Sequence, residues 1–145
     1  MTDHHCAGGE HHLRRSPDIR VLVVDDHPWV RASLAELLSD EDDLVVVGEC
    51  EDGADVVEAA VRLHPDVVLM DLSMPVMNGV AATNALRAAH LESRVVVLTA
   101  DGAGARPAVE AAGADALLPK ETRADALLDC LRTVVVGCGC CPYCL

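Results

Sequence analysis

The sequence predicts an α/β fold, a doubly wound five-stranded parallel sheet with helices on both faces. Three observations predict it. Five short apolar runs rich in Val, Leu and Ala recur between residues 19 and 118. The segments between them switch to the 3.6-residue apolar period of amphipathic helices. The first, third, fourth and fifth runs close on polar residues, namely Asp25, Asp71, Thr99 and, after Pro119, Lys120. Strands buried on both faces read as continuous apolar runs, and strands alternating with helices pair in parallel.

Taken in order, residues 1–18 form a polar tail with two His pairs, Gly8-Gly9 and Ser16-Pro17, and no periodicity, so disorder is expected there. The strands are expected at 19–24 (IRVLVV), 44–48 (LVVVG), 67–70 (VVLM), 95–98 (VVVL) and 116–118 (ALL). Val30, Leu34, Leu37 and Leu38 mark the first helix. Val56, Val57, Ala60 and Val61 mark a second, which opens near Asp52-Gly53. Ala82, Leu86 and Ala89 mark a third, with Asn78 as its N-cap. Residues 106–112 are Ala-rich and end at Gly113, a suitable C-cap, with Pro107 fraying the helix start. Leu127, Leu128, Leu131, Val134 and Val135 mark the fifth helix, and residues 137–145 form a Cys-rich tail.

Composition narrows the function classes. The 145 residues carry 11 basic and 24 acidic side chains, a formal charge of −13. Such acidity argues against a surface that grips nucleic acid backbone or anionic lipid. No apolar run approaches the ~18 residues of a membrane helix. The N-terminus lacks the basic and apolar regions of a secretory signal, so the cytoplasm is the expected compartment. With no Phe, one Trp and one Tyr, the core must be filled by Val, Leu and Ala.

In a doubly wound sheet, functional groups gather at the carboxyl ends of the strands, where strand order reverses. Asp25, Asp26, Asp71, Thr99 and Lys120 would then line one edge. Three carboxylates at close range oppose one another's ionisation, and a hard divalent cation such as Mg²⁺ resolves the conflict. One carboxylate can serve as a nucleophile that forms an aspartyl phosphate, with a Lys and a Thr to receive the phosphoryl oxygens. A single acidic strand end is often only a turn former. Complementary polar residues at four of five strand ends favour a site.

The stretches VLVVDDHPWVRASLAELL (21–38), PDVVLMDLSMPVMNG (65–79), RVVVLTA (94–100) and AGADALLPK (112–120) resemble the receiver domain of two-component response regulators. The resemblance spans 19–136 and is nearest to receivers of NarL/LuxR-type regulators. It implies the flavodoxin-like strand order 2-1-3-4-5. It implies that Asp71 accepts a phosphoryl group from a sensor histidine kinase. Mg²⁺ would be held by Asp25, Asp26, Asp71 and the backbone carbonyl of Ser73, and Thr99 and Lys120 would contact the phosphoryl group. Ala100 fits the small residue expected beside the acceptor. The implied partners are the kinase and an unknown output protein, with a homodimer possible. Catalysis would be limited to self-phosphorylation and self-dephosphorylation.

Three features depart from the family pattern. Leu117 stands where such receivers carry Tyr or Phe, so an aromatic rotamer switch cannot operate there. The 100–113 segment is Gly/Ala-rich and about one residue short. Nothing after residue 137 matches the helix-turn-helix of those transcription regulators, so direct DNA binding by this chain is not expected.

Cys141-Pro-Tyr-Cys144 copies a glutaredoxin-type string but lacks the helix that would activate its first thiol. A C-terminal lipidation signal fails because Pro142 occupies the place of its Cys. Cys138, Cys140, Cys141 and Cys144 offer thiolates of the kind Zn²⁺ prefers, with His4, His5, Cys6, His11 and His12 in the other tail. The fifth helix is expected to deliver this tail beside the start of the first strand, near the N-terminal tail. The alternative is an unstructured tail without a ligand. Cys50 and Cys130 are expected as buried small hydrophobes. His27 is expected in a local structural role, Trp29 off the apolar stripe of the first helix, and His64 and His90 at helix ends where cations suit the dipole. Two other functions stay open: a metal- or redox-sensing interaction protein on a receiver scaffold, and a degenerate remnant of a DNA-binding regulator.

Overall fold

A computed structural model describes residues 18–100, 102–137 and 144–145, with the side chains of 102 and 103 excepted. The strands are β1 (Ile19–Val24), β2 (Leu44–Cys50), β3 (Val67–Asp71), β4 (Arg94–Thr99) and β5 (Ala116–Pro119). The helices are α1 (Pro28–Ser39), α2 (Val56–Leu63, preceded by a 3₁₀ turn at Gly53–Asp55), α3 (Gly79–Ala88), α4 (Gly102–Ala112) and α5 (Ala124–Val134). All strand pairs are parallel, in the order β2-β1-β3-β4-β5.

The apolar runs sort into two cores, one on each sheet face. Leu22, Val24, Val68, Met70, Val95, Val97 and Leu117 face α2, α3 and α4, where Val56, Ala60, Ala82, Leu86 and Val109 meet them. Val21, Val23, Val67, Leu69, Val96, Leu98 and Leu118 face α1 and α5, against Leu38, Leu127, Leu128, Leu131 and Val134. The alternation along each strand sends neighbouring residues to opposite faces, and because both faces are covered the run is apolar throughout. Met and branched aliphatics fill the space without any Phe.

Some expectations change in the tertiary context. β2 is an edge strand, so Val45 is exposed and only Leu44 and Cys50 are buried, not the whole run. Val61 points to solvent, and Ala89 is an exposed C-cap residue outside α3. Thr83 is buried instead, its hydroxyl donating to the Gly79 carbonyl at 2.7 Å. α4 begins at Gly102, four residues before the expected start, and carries Pro107 within it. Cys50 and Cys130 are buried, as their apolar surroundings imply.

Helix ends follow local chemistry. Asn78 caps α3 by accepting from the Ala81 N–H at 2.9 Å, and Pro28 opens α1, where a missing N–H costs nothing. His64 and His90 close helical segments in the left-handed region, at φ of 51° and 61°. Arginine side chains bind the carbonyls near these ends. The Arg20 guanidinium donates to the carbonyls of Leu63 and His64, and Arg87 to those of Leu91, Ser93 and Gly113.

The C-terminus takes a different place from the one expected. Cys144 forms an antiparallel bridge with Ala116, and the Leu145 N–H donates to the Asp115 carbonyl at 3.0 Å. These residues lie along the outer edge of β5, not beside the start of β1. An edge strand offers unpaired backbone groups, and this segment pairs with them. Leu145 also packs against the α2–α3–α4 core.

Candidate functional site

The strand order reverses between β1 and β3, so their carboxyl ends stand side by side over a crevice. Asp25 and Asp26 follow β1, and Asp71 ends β3. Asp25 is 1 % exposed and Asp71 3 %. The Asp25 N–H donates to the Cys50 carbonyl at 3.1 Å, and Arg31 of α1 donates to the Asp25 carbonyl at 2.6 Å, which fixes the turn after β1.

Lys120 reaches the same crevice from the end of β5. Its backbone N–H donates to the Thr99 carbonyl at 2.8 Å, so the two strand ends position its stem. Its Nζ lies 2.9 Å from Asp71 Oδ1. Burial pushes the Asp71 carboxyl above its ordinary pKa, Lys120 pulls it down and the charge of Asp25 pushes it up again, and the net shift is upward. Burial alone would lower Lys120, but the hydrogen bond and charge of Asp71, with Asp25 and Asp26, raise it.

Three carboxylate oxygens in this crevice, Asp25 Oδ2, Asp26 Oδ1 and Asp71 Oδ2, are buried and accept no hydrogen bond. Buried acceptors without partners are costly, and three negative groups at one place compound the cost. One lysine cannot offset them. Asp25, Asp26, His27 and Asp71 each present a donor atom within 4.8 Å of the others. Oxygen donors, net negative charge and free lone pairs fit a hard divalent cation such as Mg²⁺.

Of the residues expected at the site, Asp25, Asp26, Asp71 and Lys120 are brought together. Thr99 is buried at the adjacent end of β4. Ser73 lies in the β3–α3 loop, and its backbone N–H helps to lower the Asp71 pKa. Ala100 is exposed at the same edge. Leu117 is buried in the α2–α3–α4 core. Cys138, Cys140 and Cys141 lie outside the described residues, as do the histidines of the N-terminal tail. Cys144 sits at the start of β5, the opposite sheet end from the acidic crevice.

Two residues beside the site were read from sequence only in local structural roles. His27 turns its Nδ1 to 3.2 Å from both Asp25 Oδ1 and Asp26 Oδ1, and its backbone N–H donates to Asp25 Oδ1 at 2.8 Å. Its place directly after the acid pair was the only signal. Asp52, read only as a helix opener, accepts the N–H groups of Ala54, Val76 and Met77 at 2.8–2.9 Å. It thereby ties the loop after β2 to the loop after Asp71. An Asp-Gly pair near a helix start signals a cap, but nothing local signals the second loop.

A parallel doubly wound sheet with an acidic crevice at its reversal point and a lysine on the central carboxylate defines a class of phosphate- or cation-handling signalling and binding domains. The comparisons with known proteins specify it. Residues 21–132 match the response regulator receiver domain, and the chain belongs to that family. It is 40 % identical over 121 residues to the transcriptional regulatory protein LiaR of Bacillus subtilis, covering 82 % of this chain and 57 % of the relative. It is 37 % identical over 119 residues to the nitrate/nitrite response regulator protein NarL of Escherichia coli, covering 81 % and 55 %. The chain thus spans little more than half the length of these relatives. Among solved structures, the signal receiver domain of the putative response regulator NarL from Mycobacterium tuberculosis superposes with a TM-score of 0.74 at 34 % identity, over 81 % of this chain and 98 % of that one. The response regulator domain of Thermotoga maritima CheB gives 0.76 at 31 %, over 82 % and 97 %. Among the described residues no helix is long and apolar enough to cross a membrane.

Proposed function

We propose that this chain is a cytoplasmic phosphorelay receiver: Asp71 accepts a phosphoryl group from a phosphohistidine of a sensor histidine kinase, and the product changes binding to an output protein. The observation that carries the reading is the Asp71 carboxylate, held by Lys120 on one oxygen and bare on the other, beside one unpartnered oxygen each of Asp25 and Asp26.

An Asp71 oxygen attacks phosphorus, the O–P bond forms and the donor's N–P bond breaks. The electron pair stays on the donor's nitrogen, which takes up a proton. Asp25, Asp26, Asp71 and the Ser73 carbonyl would hold Mg²⁺, which supplies charge neutralisation for the phosphoryl oxygens. Lys120 steadies the acceptor before transfer and meets a phosphoryl oxygen after it. Thr99 offers a hydroxyl from the neighbouring strand end. The phosphorylated site gains charge near −2, enough to bias the segments after β4 and β5 between two arrangements. The chain acts on itself in this scheme and turns over no separate metabolite.

Beryllofluoride, a phosphoryl mimic, tests the reading. With Mg²⁺ it should give a saturable change in Trp29 fluorescence, because Trp29 stands two residues from His27 with ring centroids 5.8 Å apart. No response in the native protein, or an unchanged response in Asp71→Ala, overturns it.

A further inference from the structure

The loop that carries Ser73, between the end of β3 and the start of α3, is fastened from outside the acidic cluster. Asp52 follows β2 and is 8 % exposed. Its Oδ1 accepts the Ala54 N–H at 2.9 Å and the Met77 N–H at 2.8 Å, and its Oδ2 accepts the Val76 N–H at 2.9 Å. Gly53 completes the hold, because its N–H donates to the Met77 carbonyl at 3.1 Å. Met77 is thus gripped through both of its backbone groups. A Cβ at Gly53 would collide with that carbonyl oxygen, so the close approach requires glycine.

The base of the loop is closed as well. The Gly79 N–H donates to the Leu72 carbonyl at 2.7 Å, and the Leu72 N–H to the Leu98 carbonyl of β4 at 2.9 Å. Met74 is buried in the α2–α3–α4 core. Between these fixed points lies Ser73, whose backbone N–H bears on the Asp71 carboxyl. A loop free to move would have to lose that freedom when a cation binds, and the loss weakens binding. A loop already held avoids it.

We infer that Asp52 is a positioning residue for the acceptor site: by holding Val76 and Met77 it fixes the loop that places Ser73 beside Asp71, and so sets the affinity for Mg²⁺. That role rests on the proposed reading, in which the Ser73 carbonyl helps to hold Mg²⁺. A carboxylate suits the task better than an amide. Two acceptor oxygens can take N–H groups from both loops at once, and an ionised acceptor bonds more strongly than a neutral one.

Isothermal titration of the full chain with Mg²⁺ tests this, with the folded state of each variant checked by urea unfolding. Asp52→Ala should lose roughly tenfold in Mg²⁺ affinity, the low end for groups that act on a ligand through its neighbours. Asp52→Asn keeps one acceptor for Ala54 and Met77 and should fall between native and Asp52→Ala. Arg132→Met, which frees Asp43 at the opposite end of the sheet, should keep native affinity and so separates positioning from a general loss of stability. An Asp52→Ala affinity within about twofold of native, or an equal loss in Arg132→Met, overturns the inference and leaves the phosphoryl reading intact. If Asp52→Ala does not fold, Asp52→Asn decides by the same limit. No Mg²⁺ binding in the native protein, at millimolar concentration, removes both.

Discussion

Lys120 Nζ stands 2.9 Å from Asp71 Oδ1, a pairing made across two strand ends that are 49 residues apart in sequence. The pair leaves Asp71 Oδ2 bare, so the central carboxylate is both anchored and available. Lys120→Ala should therefore weaken phosphoryl acceptance without unfolding the domain. Removing one aligned donor to developing charge costs roughly a hundredfold in rate. Phosphorylation by acetyl phosphate with Mg²⁺, followed by intact mass, measures it, and a rate within threefold of native would contradict the assigned role.

Asp52 should govern stability through the two loops it ties. Both of its oxygens are used, Oδ1 by Ala54 and Met77 and Oδ2 by Val76. Asp52→Asn replaces one acceptor with a donor facing a part-buried backbone N–H, which costs about 1 kcal/mol. Urea unfolding should show that loss at neutral pH. Burial acts to raise the Asp52 pKa, but the backbone N–H groups of Ala54, Val76, Met77 and Gly53 hold it below the ordinary carboxyl value. A depressed folded-state pKa stabilises above the unfolded value of about 3.9, and the gain disappears as pH falls through the lower folded value. The native-minus-variant difference should therefore be flat from pH 5 to 7 and shrink below about pH 4.

Arg132 fastens α5 to the turn before β2. Its guanidinium donates to Asp43 Oδ2 at 2.7 Å and Oδ1 at 2.9 Å, and to Glu41 Oε1 at 2.7 Å. The hydrogen bond from Arg132 holds the Asp43 carboxyl below its usual range against the effect of partial burial. The group is partly exposed, so water and salt weaken the pair. Arg132→Met should cost about 1 kcal/mol at low salt and less at 1 M. The salt dependence of the thermal midpoint separates this from lost packing, which salt would leave unchanged.

Gly79 allows α3 to start directly against β3. A Cβ there would stand 2.9 Å from the Asp71 carbonyl oxygen and 3.1 Å from Leu72 Cα. Both are backbone atoms, so neither can swing aside. Gly79→Ala should destabilise by about 1–3 kcal/mol and shift Asp71, reducing divalent-ion affinity along with stability. A variant with native affinity and native thermal midpoint would show that the contact is harmless.

Cys50 should resist alkylation in the folded protein. Burial, with the nearby charge of Asp55, pushes its thiol pKa up to about 11, and Sγ faces the Asp55 carbonyl at 3.9 Å. Iodoacetamide at pH 8 should leave the peptides carrying Cys50 and Cys130 unmodified until denaturant is added, as peptide-level mass spectrometry would read. Labelling of Cys50 in the native state at the rate of a free thiol would place it at the surface.

The sequence by itself determined the strands, the wound sheet and the acidic edge, because these depend on short-range pattern. A run such as VVLM suits a parallel strand covered on both faces, and Asp71 then falls at its exit. Tertiary structure decided which of these positions water reaches. Val45 and Val61 carry the pattern of buried residues, yet β2 lies at the sheet edge and α2 turns Val61 outward. Periodicity fixes which side chains share a face, while neighbouring elements decide whether that face is covered. The same division runs through the site. Asp25, Asp26, Asp71 and Lys120 were legible from strand ends, but the aim of His27 Nδ1, the reach of Asp52 to Val76 and Met77, and the pairing of Cys144 with β5 depend on close approach between distant segments, and local sequence holds no trace of that distance.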